Sequence, residues 1–211
     1  MSAHRNKTGL FVTFEGIDGC GKTTQLDMSY RYLRSLGYDV VRLREPGSTP
    51  TAEKIRRLLL DRNSQLADVT ELLLYEAARA EITRTEILPN LRAGRIVLCD
   101  RFYDSTTAYQ GYGRGLDLQA VKRLHTLAVG ECLPDLTLVF DVTLPVAAGR
   151  LGKNRDRLES QPSAFHRRVR DGFLKIAVSE PGRVKVVDGT QSAEQVFVEV
   201  RKHLDRKLRH L

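Results

Sequence analysis

An eight-residue, glycine-rich segment near the N-terminus constrains most strongly what this chain can fold into. Residues 16–23 read Gly-Ile-Asp-Gly-Cys-Gly-Lys-Thr and match the pattern G-x-x-x-x-G-K-(S/T). The apolar run before them predicts a buried strand, and a helical pattern begins at their last residue, Thr23. Backbone N–H groups and the dipole of a helix N-terminus make such a loop an anion site. We therefore predict that a triphosphate binds to Gly16, Ile17, Asp18, Gly19, Cys20, Gly21, Lys22, Thr23 and Thr24.

Apolar runs and helical periodicity alternate along the whole chain and predict an α/β fold. The predicted strands, all short and rich in β-branched residues, are 10–15, 39–44, 95–100, 136–141 and 184–187. The predicted helices occupy 22–36, 51–60, 68–93, 117–129, 144–151, 162–179 and 192–210. Strands that alternate with helices form a parallel sheet covered on both faces. Because 211 residues suffice for one substantial core, we predict a single P-loop NTPase-type domain over residues 1–211, with a five-stranded parallel sheet and helices on both faces.

Composition and the N-terminal residues predict a cytoplasmic globular protein. Hydrophobic residues make up 41% of the chain, and its apolar runs are far shorter than the ~18 residues that a membrane span needs. Residues 1–8 lack the apolar stretch of a secretory signal, so we expect a disordered N-terminus and no membrane partner.

Cys99 and Cys132 have no metal-ligand spacing and are expected to fill the core. Cys20 has two interpretations, because a helix N-terminus lowers a thiol pKa but a small residue is also tolerated there.

The net charge of +8 arises from 34 basic and 26 acidic residues, and much of the excess lies in two segments. The C-terminal helix is predicted to be a solvated basic face, and nucleic-acid binding there is not favoured. The other segment carries cations and glycines together and predicts a short basic lid, at about residues 150–160, that closes over polyanions. Phosphoryl transfer needs cations around the transferred group, and the glycine loop supplies only Lys22. We therefore expect a further cation from the lid, namely Arg150, Arg155 or Arg157.

Charged residues follow the predicted strands at the edge where parallel sheets bind ligands. Asp100 ends the third strand and is predicted, with the hydroxyl of Thr23, to serve a magnesium ion directly or through water. Arg101 points to the other side of the strand end, where a guanidinium suits capture of a second phosphate group. Arg44 follows the second strand, and Asp141 ends the fourth. A solvated strand end explains any one of these clusters but not all of them together.

Two segments predict contacts with a base and a sugar. Residues 100–111 are dense in hydroxyls, amides and aromatic rings, where a plain helix surface carries Lys and Glu. Gln110 can read a base edge with donor and acceptor together, and Tyr109 can lie against a sugar. Tyr75 and Arg79 are four residues apart and share a face of the predicted helix. A ring for stacking beside a donor fork is what a pyrimidine base needs, although such a pair also occurs as a core tyrosine beside a surface arginine.

Taken together, these motifs resemble the thymidylate kinase family, the P-loop nucleoside monophosphate kinases that make dTDP from dTMP and ATP. The resemblance runs from about residue 10 to residue 173. Its segments are Phe14 to Gln25, Arg44 to Gly47, Glu71 to Tyr75 with Arg79, and Asp100 to Gly111. Their order and spacing, rather than any one segment, make the match specific.

The resemblance implies roles for the residues singled out above. Lys22 and the loop amides would hold the ATP phosphates with Mg²⁺ as cofactor, and Asp18 would orient the acceptor or the metal shell. The dTMP phosphate would be clamped by Arg44 and Arg101. Contacts to base and sugar would come from Tyr75 (stacking on thymine), Arg79 and Gln110 (its polar edge), Ser105 and Thr106 (further base contacts) and Tyr109 (crowding a ribose 2′-hydroxyl). The family is typically homodimeric, and helix 68–93 would contribute to that interface.

Two departures from the family pattern and two alternative functions are open at this point. Ser48 stands where the family usually has a second glycine after Arg-Glu-Pro-Gly, which leaves the geometry of that loop open. The lid is short and basic throughout, so the residues do not show which of its cations acts in the transition state. Family members without an arginine in the phosphate loop supply it from the lid, and we take Arg155 as that cation, with Arg150 and Arg157 as alternatives. The alternative functions are a kinase for another pyrimidine monophosphate and a nucleic-acid-dependent P-loop ATPase.

Overall fold

A five-stranded parallel sheet forms the centre of the computed structural model, which describes residues 9–152, 156–209 and 211. The strands run in the order β2-β3-β1-β4-β5, so the first strand along the chain is the middle one. Their bounds are β1 (Phe11–Glu15), β2 (Val40–Arg44), β3 (Ile96–Asp100), β4 (Leu136–Asp141) and β5 (Val184–Asp188). Each predicted strand is confirmed to within one residue at either end.

Helices connect consecutive strands, as parallel pairing requires. Their bounds are α1 (Lys22–Ser35), α2 (Pro50–Leu60), α3 (Asp68–Ile82), α4 (Leu88–Arg92), α5 (Tyr103–Thr106), α6 (Leu118–Val129), α7 (Leu144–Arg150), α8 (Ser163–Ser179) and α9 (Ala193–Leu208). Two π-helical segments, π1 (Thr83–Ile87) and π2 (Thr107–Gly113), continue α3 and α5 respectively. The predicted helix 68–93 is thus α3, π1 and α4 in succession. The helical segment 103–113 was not predicted, because its hydroxyl and aromatic residues lack the usual pattern of a solvated helix.

The sheet is buried on both faces. Along β1, Val12 and Phe14 belong to one apolar cluster, with the ring of Phe14 stacked 6.1 Å from that of Phe140. Phe11 belongs to a second cluster and meets the ring of Phe102 edge-on at 5.0 Å. Since successive side chains of a strand point to opposite faces, the two clusters lie on opposite sides of the sheet. The predicted α/β fold with a covered parallel sheet is therefore confirmed.

Close packing between π2 and α8 depends on two glycines. A Cβ at Gly172 of α8 would lie 2.7 Å from the ring of Tyr112, and one at Gly113 would lie 2.7 Å from the ring of Phe165. Such distances are far inside van der Waals contact, so only glycine lets the two segments approach this closely. The packing matters for the site, because π2 carries Tyr109 and Gln110.

Among the described residues, no helix is long and apolar enough to cross a membrane. The predicted disorder of residues 1–8 and the middle of the predicted lid, residues 153–155, lie outside the described residues. Arg155, taken from the sequence as the lid cation, is one of these three.

Candidate active site

The glycine loop joins the carboxyl end of β1 to the N-terminus of α1, as the sequence predicts. Gly19 has φ +81°, and a Cβ there would lie 2.4 Å from the carbonyl oxygen of Ala147, so the loop requires glycine at this position. Helix α1 begins after Gly21, which provides no side-chain cap, so an anion can accept hydrogen bonds at this helix N-terminus. Gly21 and Thr24 also line a pocket that reaches Arg150 and Gly189 on the outer side of the loop.

Asp18, in the middle of the loop, gathers three side chains around its carboxylate. Arg101 donates from Nη2 to Oδ1 at 2.6 Å, and Lys22 Nζ lies 3.3 Å from the same oxygen. The hydroxyl of Tyr109 donates to Oδ2 at 2.9 Å. Burial raises the pKa of Asp18, but the charges of Arg101 and Lys22 outweigh it and hold the pKa well below its usual range. The loop thus presents an ionised carboxylate that orders two cations.

Arg101 connects this loop to the neighbouring strand end. It directly follows β3, has φ +72°, and donates from Nη1 both to the carbonyl oxygen of Gly16 at 3.0 Å and to Ser105 Oγ at 2.9 Å. Ser105 in turn donates to Glu15 Oε2 at 2.5 Å, and the backbone N–H of Phe102 donates to Glu15 Oε1 at 2.7 Å. The backbone conformation of Arg101 and the hydrogen bonds of its side chain therefore both fix the position of the guanidinium.

Thr23 and Asp100, the predicted magnesium residues, meet beside the loop. The Thr23 hydroxyl donates to Asp100 Oδ2 at 2.7 Å. The other carboxylate oxygen, Oδ1, is buried and has no hydrogen-bond partner among the described residues. A hydroxyl beside a carboxylate with a free, desolvated oxygen is the kind of donor set that suits a hard cation such as Mg²⁺. The residues present therefore fit the ion.

A pocket of about 480 Å³, part of it open to solvent, lies next to this cluster. Tyr75, Thr106 and Gln110 face it from α3, α5 and π2, and Thr106 Oγ1 is buried without a hydrogen-bond partner among the described residues. A flat ring, an unsatisfied hydroxyl and an amide on one pocket are suited to a planar, polar-edged ligand such as a base. The lining residues are Asp18, Glu45, Pro46, Arg56, Leu60, Tyr75, Arg101, Ser105, Thr106, Tyr109, Gln110, Asp156 and Leu158.

Ser105 and Arg44, both predicted substrate contacts, are already engaged in other bonds. Ser105 lines the pocket, and its hydroxyl bridges Arg101 and Glu15, so it orients the guanidinium; its contact with a base stays a prediction. Arg44 ends β2 outside the pocket lining, about half exposed, and donates to Glu53 Oε1 at 2.8 Å. The loop that follows β2 is nevertheless well defined. Ser48 takes φ +67°, as the expected glycine would, because its hydroxyl accepts from the Arg44 N–H at 2.9 Å.

Arg79, predicted to read the polar edge of the base, lies behind the pocket rather than among its lining residues. It is 1% exposed and donates to Glu45 Oε2 at 2.8 Å, Glu76 Oε1 at 2.6 Å and the carbonyl oxygen of Phe102 at 3.2 Å. These bonds use three of its five N–H groups. The geometry therefore assigns Arg79 to the packing of α3 against two strand-end loops, and its contact with a base stays a prediction.

Arg56 is a pocket residue that the sequence reasoning missed. It lies on α2, faces the pocket, and donates from Nη1 to the carbonyl oxygen of Pro46 at 2.8 Å. Burial, and then the charge of Arg44, lowers its pKa and outweighs the opposing charge of Glu53. In the sequence it stands next to Arg57 in an amphipathic helix, and nothing local distinguishes the two.

The described part of the lid places two of its three candidate cations. Arg150 donates to the carbonyl oxygen of Gly189 at 2.9 Å, beside the glycine loop. Arg157 lies on the opposite side, with Nη1 2.6 Å from Glu71 Oε2 and Nε bonded to the carbonyl oxygen of Leu59. Arg157 is paired with a buried carboxylate, although its Nη2 has no hydrogen-bond partner among the described residues. Which of Arg150, Arg155 and Arg157 is the lid cation stays a prediction.

The cysteines are all buried. For Cys20 the two interpretations are now distinguished, because burial raises the pKa of its thiol above the ordinary value despite the nearby Lys22. Burial and the raised pKa favour the interpretation of Cys20 as a small packing residue. Cys99 and Cys132 lie in the second apolar cluster, as predicted.

Known proteins resemble this chain along almost its entire length. The family model described as thymidylate kinase matches residues 14–200. A thymidylate kinase from Geobacter sulfurreducens is 49% identical over 195 residues, covering 88% of this chain and 92% of the relative. One from Thermoanaerobacter sp. is 45% identical over 193 residues, covering 91% and 95%. The crystal structure of thymidylate kinase from Ehrlichia chaffeensis superposes with a TM-score of 0.78 at 39% identity, covering 93% of this chain and 98% of that one.

Proposed function

The chain belongs to the thymidylate kinase family, and we propose that the loop, the Asp18–Arg101 cluster and the adjoining pocket carry out the reaction of that family here. The protein is a kinase that transfers a phosphoryl group from ATP to dTMP and forms dTDP. The observation that carries the assignment of the site is the position of Arg101. Its guanidinium touches the glycine loop on one side and lines the neighbouring pocket on the other, so it lies where donor and acceptor phosphates would meet.

The glycine loop would hold the donor. Its N–H groups at the start of α1 and the ammonium of Lys22 would surround the ATP phosphates. Positive charge around the transferred group is what phosphoryl transfer requires, because the transition state spreads charge over the equatorial oxygens. Asp18 keeps Lys22 and Arg101 pointed at this region in advance, which lowers the cost of reorganisation during the reaction.

Thr23 and Asp100 would hold Mg²⁺. The protein ligands would be Oδ1 of Asp100 and the Thr23 hydroxyl. Phosphate oxygens and water would complete the coordination shell that Mg²⁺ prefers. When bound, the ion supplies neutralisation of charge on the phosphates. The chain's own part is to keep the carboxylate of Asp100 oriented beside the loop.

The pocket would hold dTMP with its phosphate toward Arg101. Tyr75 supplies a ring for stacking on thymine, while the Thr106 hydroxyl and the Gln110 amide face its polar edge. Tyr109 is fixed against Asp18 and would lie at the sugar, where a ribose 2′-hydroxyl would collide with it. Each of these assignments is supported by the lining of the pocket and by the buried, unpartnered hydroxyl of Thr106.

Two arginines would clamp the dTMP phosphate, Arg101 from β3 and Arg56 from α2. Arg56 replaces Arg44 as the nearer candidate, because it lines the pocket while Arg44 is paired with Glu53. Arg44 would act on the phosphate only after exchanging Glu53 for it. From the lid, Arg155, Arg150 or Arg157 would supply the remaining cation of the transition state.

The groove between α3 and α6 supports a homodimer. Leu73 and Leu127, 50% and 75% exposed, flank it, and apolar, small and charged residues line the rest. The groove is lined by Leu73, Glu76, Ala77, Ala80, Glu81, Arg84, Leu124, Leu127 and Ala128. Apolar side chains so exposed along one helix pair are typical of an interface. A cytoplasmic location stays a prediction.

Production of ADP from ATP and Mg²⁺ with a panel of monophosphates tests the assignment. The panel is dTMP, dUMP, dCMP, UMP, CMP, dAMP and dGMP, and we expect dTMP to be turned over far faster than the rest. A preference for another monophosphate would keep the donor site but overturn the roles of Tyr75, Thr106 and Gln110. ADP release stimulated by DNA or RNA and indifferent to every monophosphate would instead support an ATPase.

A further inference from the structure

Glu71, on α3 beside the base pocket, is a buried carboxylate with no part in the roles given above. It is fully buried, and both of its oxygens have partners. Oε1 accepts from Gln110 Nε2 at 2.7 Å and from Arg114 Nε at 3.2 Å. Oε2 accepts from Arg114 Nη2 at 3.0 Å and lies 2.6 Å from Arg157 Nη1. Two guanidinium groups and an amide thus converge on one carboxylate.

The carboxylate of Glu71 is ionised. Burial raises its pKa, but the hydrogen bonds and charges of Arg114, Gln110 and Arg157 outweigh burial and lower the pKa below its ordinary value. An ionised carboxylate only accepts hydrogen bonds. Its partner on Gln110 must therefore be the NH₂ group, because turning the amide over would place two oxygens, one of them charged, against each other.

The hydrogen bond between Gln110 and Glu71 determines which end of the Gln110 amide faces the pocket. Nε2 is directed at Glu71, and the side chain is 1% exposed, so the amide has no room to sample both orientations freely. The carbonyl oxygen Oε1 has no hydrogen-bond partner among the described residues. Gln110 lines the base pocket, so the group that it offers there is an acceptor.

The other groups at the base edge lack a fixed polarity. The hydroxyl of Thr106 is unpartnered and rotates, so it can donate or accept as the ligand requires. The ring of Tyr75 offers a stacking face that is indifferent to the pattern of donors and acceptors. Of these three, the amide of Gln110 is the group with a set direction.

We propose that Glu71 is a positioning residue that determines base specificity by holding the Gln110 carbonyl toward position 3 of the pyrimidine. Thymine and uracil carry an N–H at position 3 and satisfy this acceptor. Cytosine carries a lone pair there and would leave two acceptors facing each other in a buried site. The inference rests on the proposed function, since it takes Gln110 to face the base of a pyrimidine monophosphate.

Glu71→Gln tests the proposal. A neutral amide at position 71 can donate or accept, so the Gln110 amide loses its preferred direction and can turn its NH₂ group toward cytosine. We expect the ratio of kcat/KM for dTMP to kcat/KM for dCMP to fall about tenfold or more, the cost of one mismatched buried hydrogen bond. The change should lie in the KM values. The ratio for dTMP to dUMP should not move, because both bases carry the N–H.

Arg114→Lys is the matched control. It removes the guanidinium bonds to Glu71 but keeps a positive charge beside it, so the carboxylate stays ionised and bonded to Gln110, and the preference for dTMP over dCMP should stay at the wild-type value. Gln110→Met removes the acceptor itself. If Glu71 acts through Gln110, then adding Glu71→Gln to Gln110→Met should change the ratio no further. An unchanged ratio in Glu71→Gln, or an equal loss in both backgrounds, would overturn the proposal.

Two further measurements distinguish a failure of the Glu71 proposal from a variant that does not fold and from a failure of the proposed function. If Glu71→Gln does not fold, Glu71→Asp is used, because it keeps the negative charge but withdraws it from Gln110 by one methylene group; the same fall in the ratio is expected. Wild-type protein that phosphorylates neither dTMP nor dCMP would contradict the proposed function. A dTMP-selective wild type beside an equally selective Glu71→Gln variant would contradict the role of Glu71 alone.

Discussion

Arg101 has a backbone conformation that an L-residue rarely adopts, with φ +72°. A residue other than glycine in this region costs on the order of 1–3 kcal/mol, so its surroundings must enforce it. The Arg101 N–H donates to the carbonyl oxygen of Phe14 at 3.0 Å, and the next N–H, that of Phe102, donates to Glu15. Glu15 thus stabilises both the strained turn and, through Ser105, the guanidinium that follows from it.

The same residue predicts how stability depends on pH. Burial, and then the charge of Asp104, raises the pKa of Glu15 from 4.5 to about 8. The folded state therefore binds more protons than the unfolded chain between these values, and the associated stability is full below about pH 4.5 and lost as the pH rises through about 8. Glu45, whose pKa burial raises to about 7, acts with the same sign.

We expect the free energy of unfolding in urea to fall by a few kcal/mol between about pH 5 and about pH 9. Glu15→Gln stays neutral throughout and should flatten this dependence, because its amide oxygen can still accept from the Phe102 N–H, and its NH₂ group can donate to Ser105 Oγ with the direction of that bond reversed. Glu131→Gln, at an exposed position, serves as the control and should follow the wild type. A wild-type free energy that rises over this range would contradict the assignment of a protonated Glu15.

At the level of elements, helix α2 brings a cation to the pocket. Thr49 caps its N-terminus by accepting from the Ala52 N–H at 3.0 Å, and the helix then presents Arg56 to the pocket and the adjacent Arg57 to solvent. The direction in which a helix leaves its cap thus decides which of two neighbouring arginines reaches a ligand.

Arg56→Gln should raise the KM for dTMP by about 10- to 100-fold, since a charge-assisted contact to phosphate is worth roughly 1.5–3 kcal/mol. The KM for ATP should change much less, because Arg56 lies on the acceptor side. Arg57→Gln makes the same chemical change one position away and should leave both values near wild type. Steady-state kinetics with each substrate varied in turn decides between them, and equal effects of the two variants would remove Arg56 from the clamp.

The contact between π2 and α8 gives a prediction about stability. Gly172→Ala places a methyl group 2.7 Å from the ring of Tyr112, and overpacking of this kind costs about 1–3 kcal/mol. Gly182→Ala is the control, because a Cβ there meets nothing within 4 Å. Thermal unfolding should show a lower Tm for Gly172→Ala alone. A Tm equal to that of Gly182→Ala would mean that the two segments can separate at no cost.

The elements also show what the sequence can and cannot predict. The strands and the glycine loop can be predicted from short stretches of the sequence, as apolar runs and as a fixed residue spacing. The predicted strand bounds agree with the structure to within one residue. Arg56 and Glu71 were missed as site residues, because a charged residue on an amphipathic helix looks the same whether it faces solvent or a pocket. Arg79 was placed at the base edge from its spacing to Tyr75, but a shared helix face does not reveal that Glu45 and Glu76 lie beside it.

For the whole molecule, the exposed groove between α3 and α6 makes dimerisation the property to test. We expect sedimentation velocity to show a dimer for the wild type and a monomer for Leu127→Glu, which would bury a charge at an apolar contact. Val178→Glu is the matched control, since Val178 is 82% exposed on α8, away from the groove. Dissociation by both variants, or by neither, would contradict this surface as the interface.

The sharing of Arg101, Asp18 and Tyr109 between the loop and the pocket has a consequence for drug resistance. On the proposed function, an inhibitor anchored on these three side chains would be hard to escape, because a substitution that weakens its binding would also disturb the proposed contacts with both substrates. Leu60 and Leu158 also line the pocket, but they are apolar and are not proposed to contact both substrates. We therefore expect compounds that gain their affinity from Leu60 and Leu158 to lose it by substitutions that leave turnover of dTMP nearly unchanged.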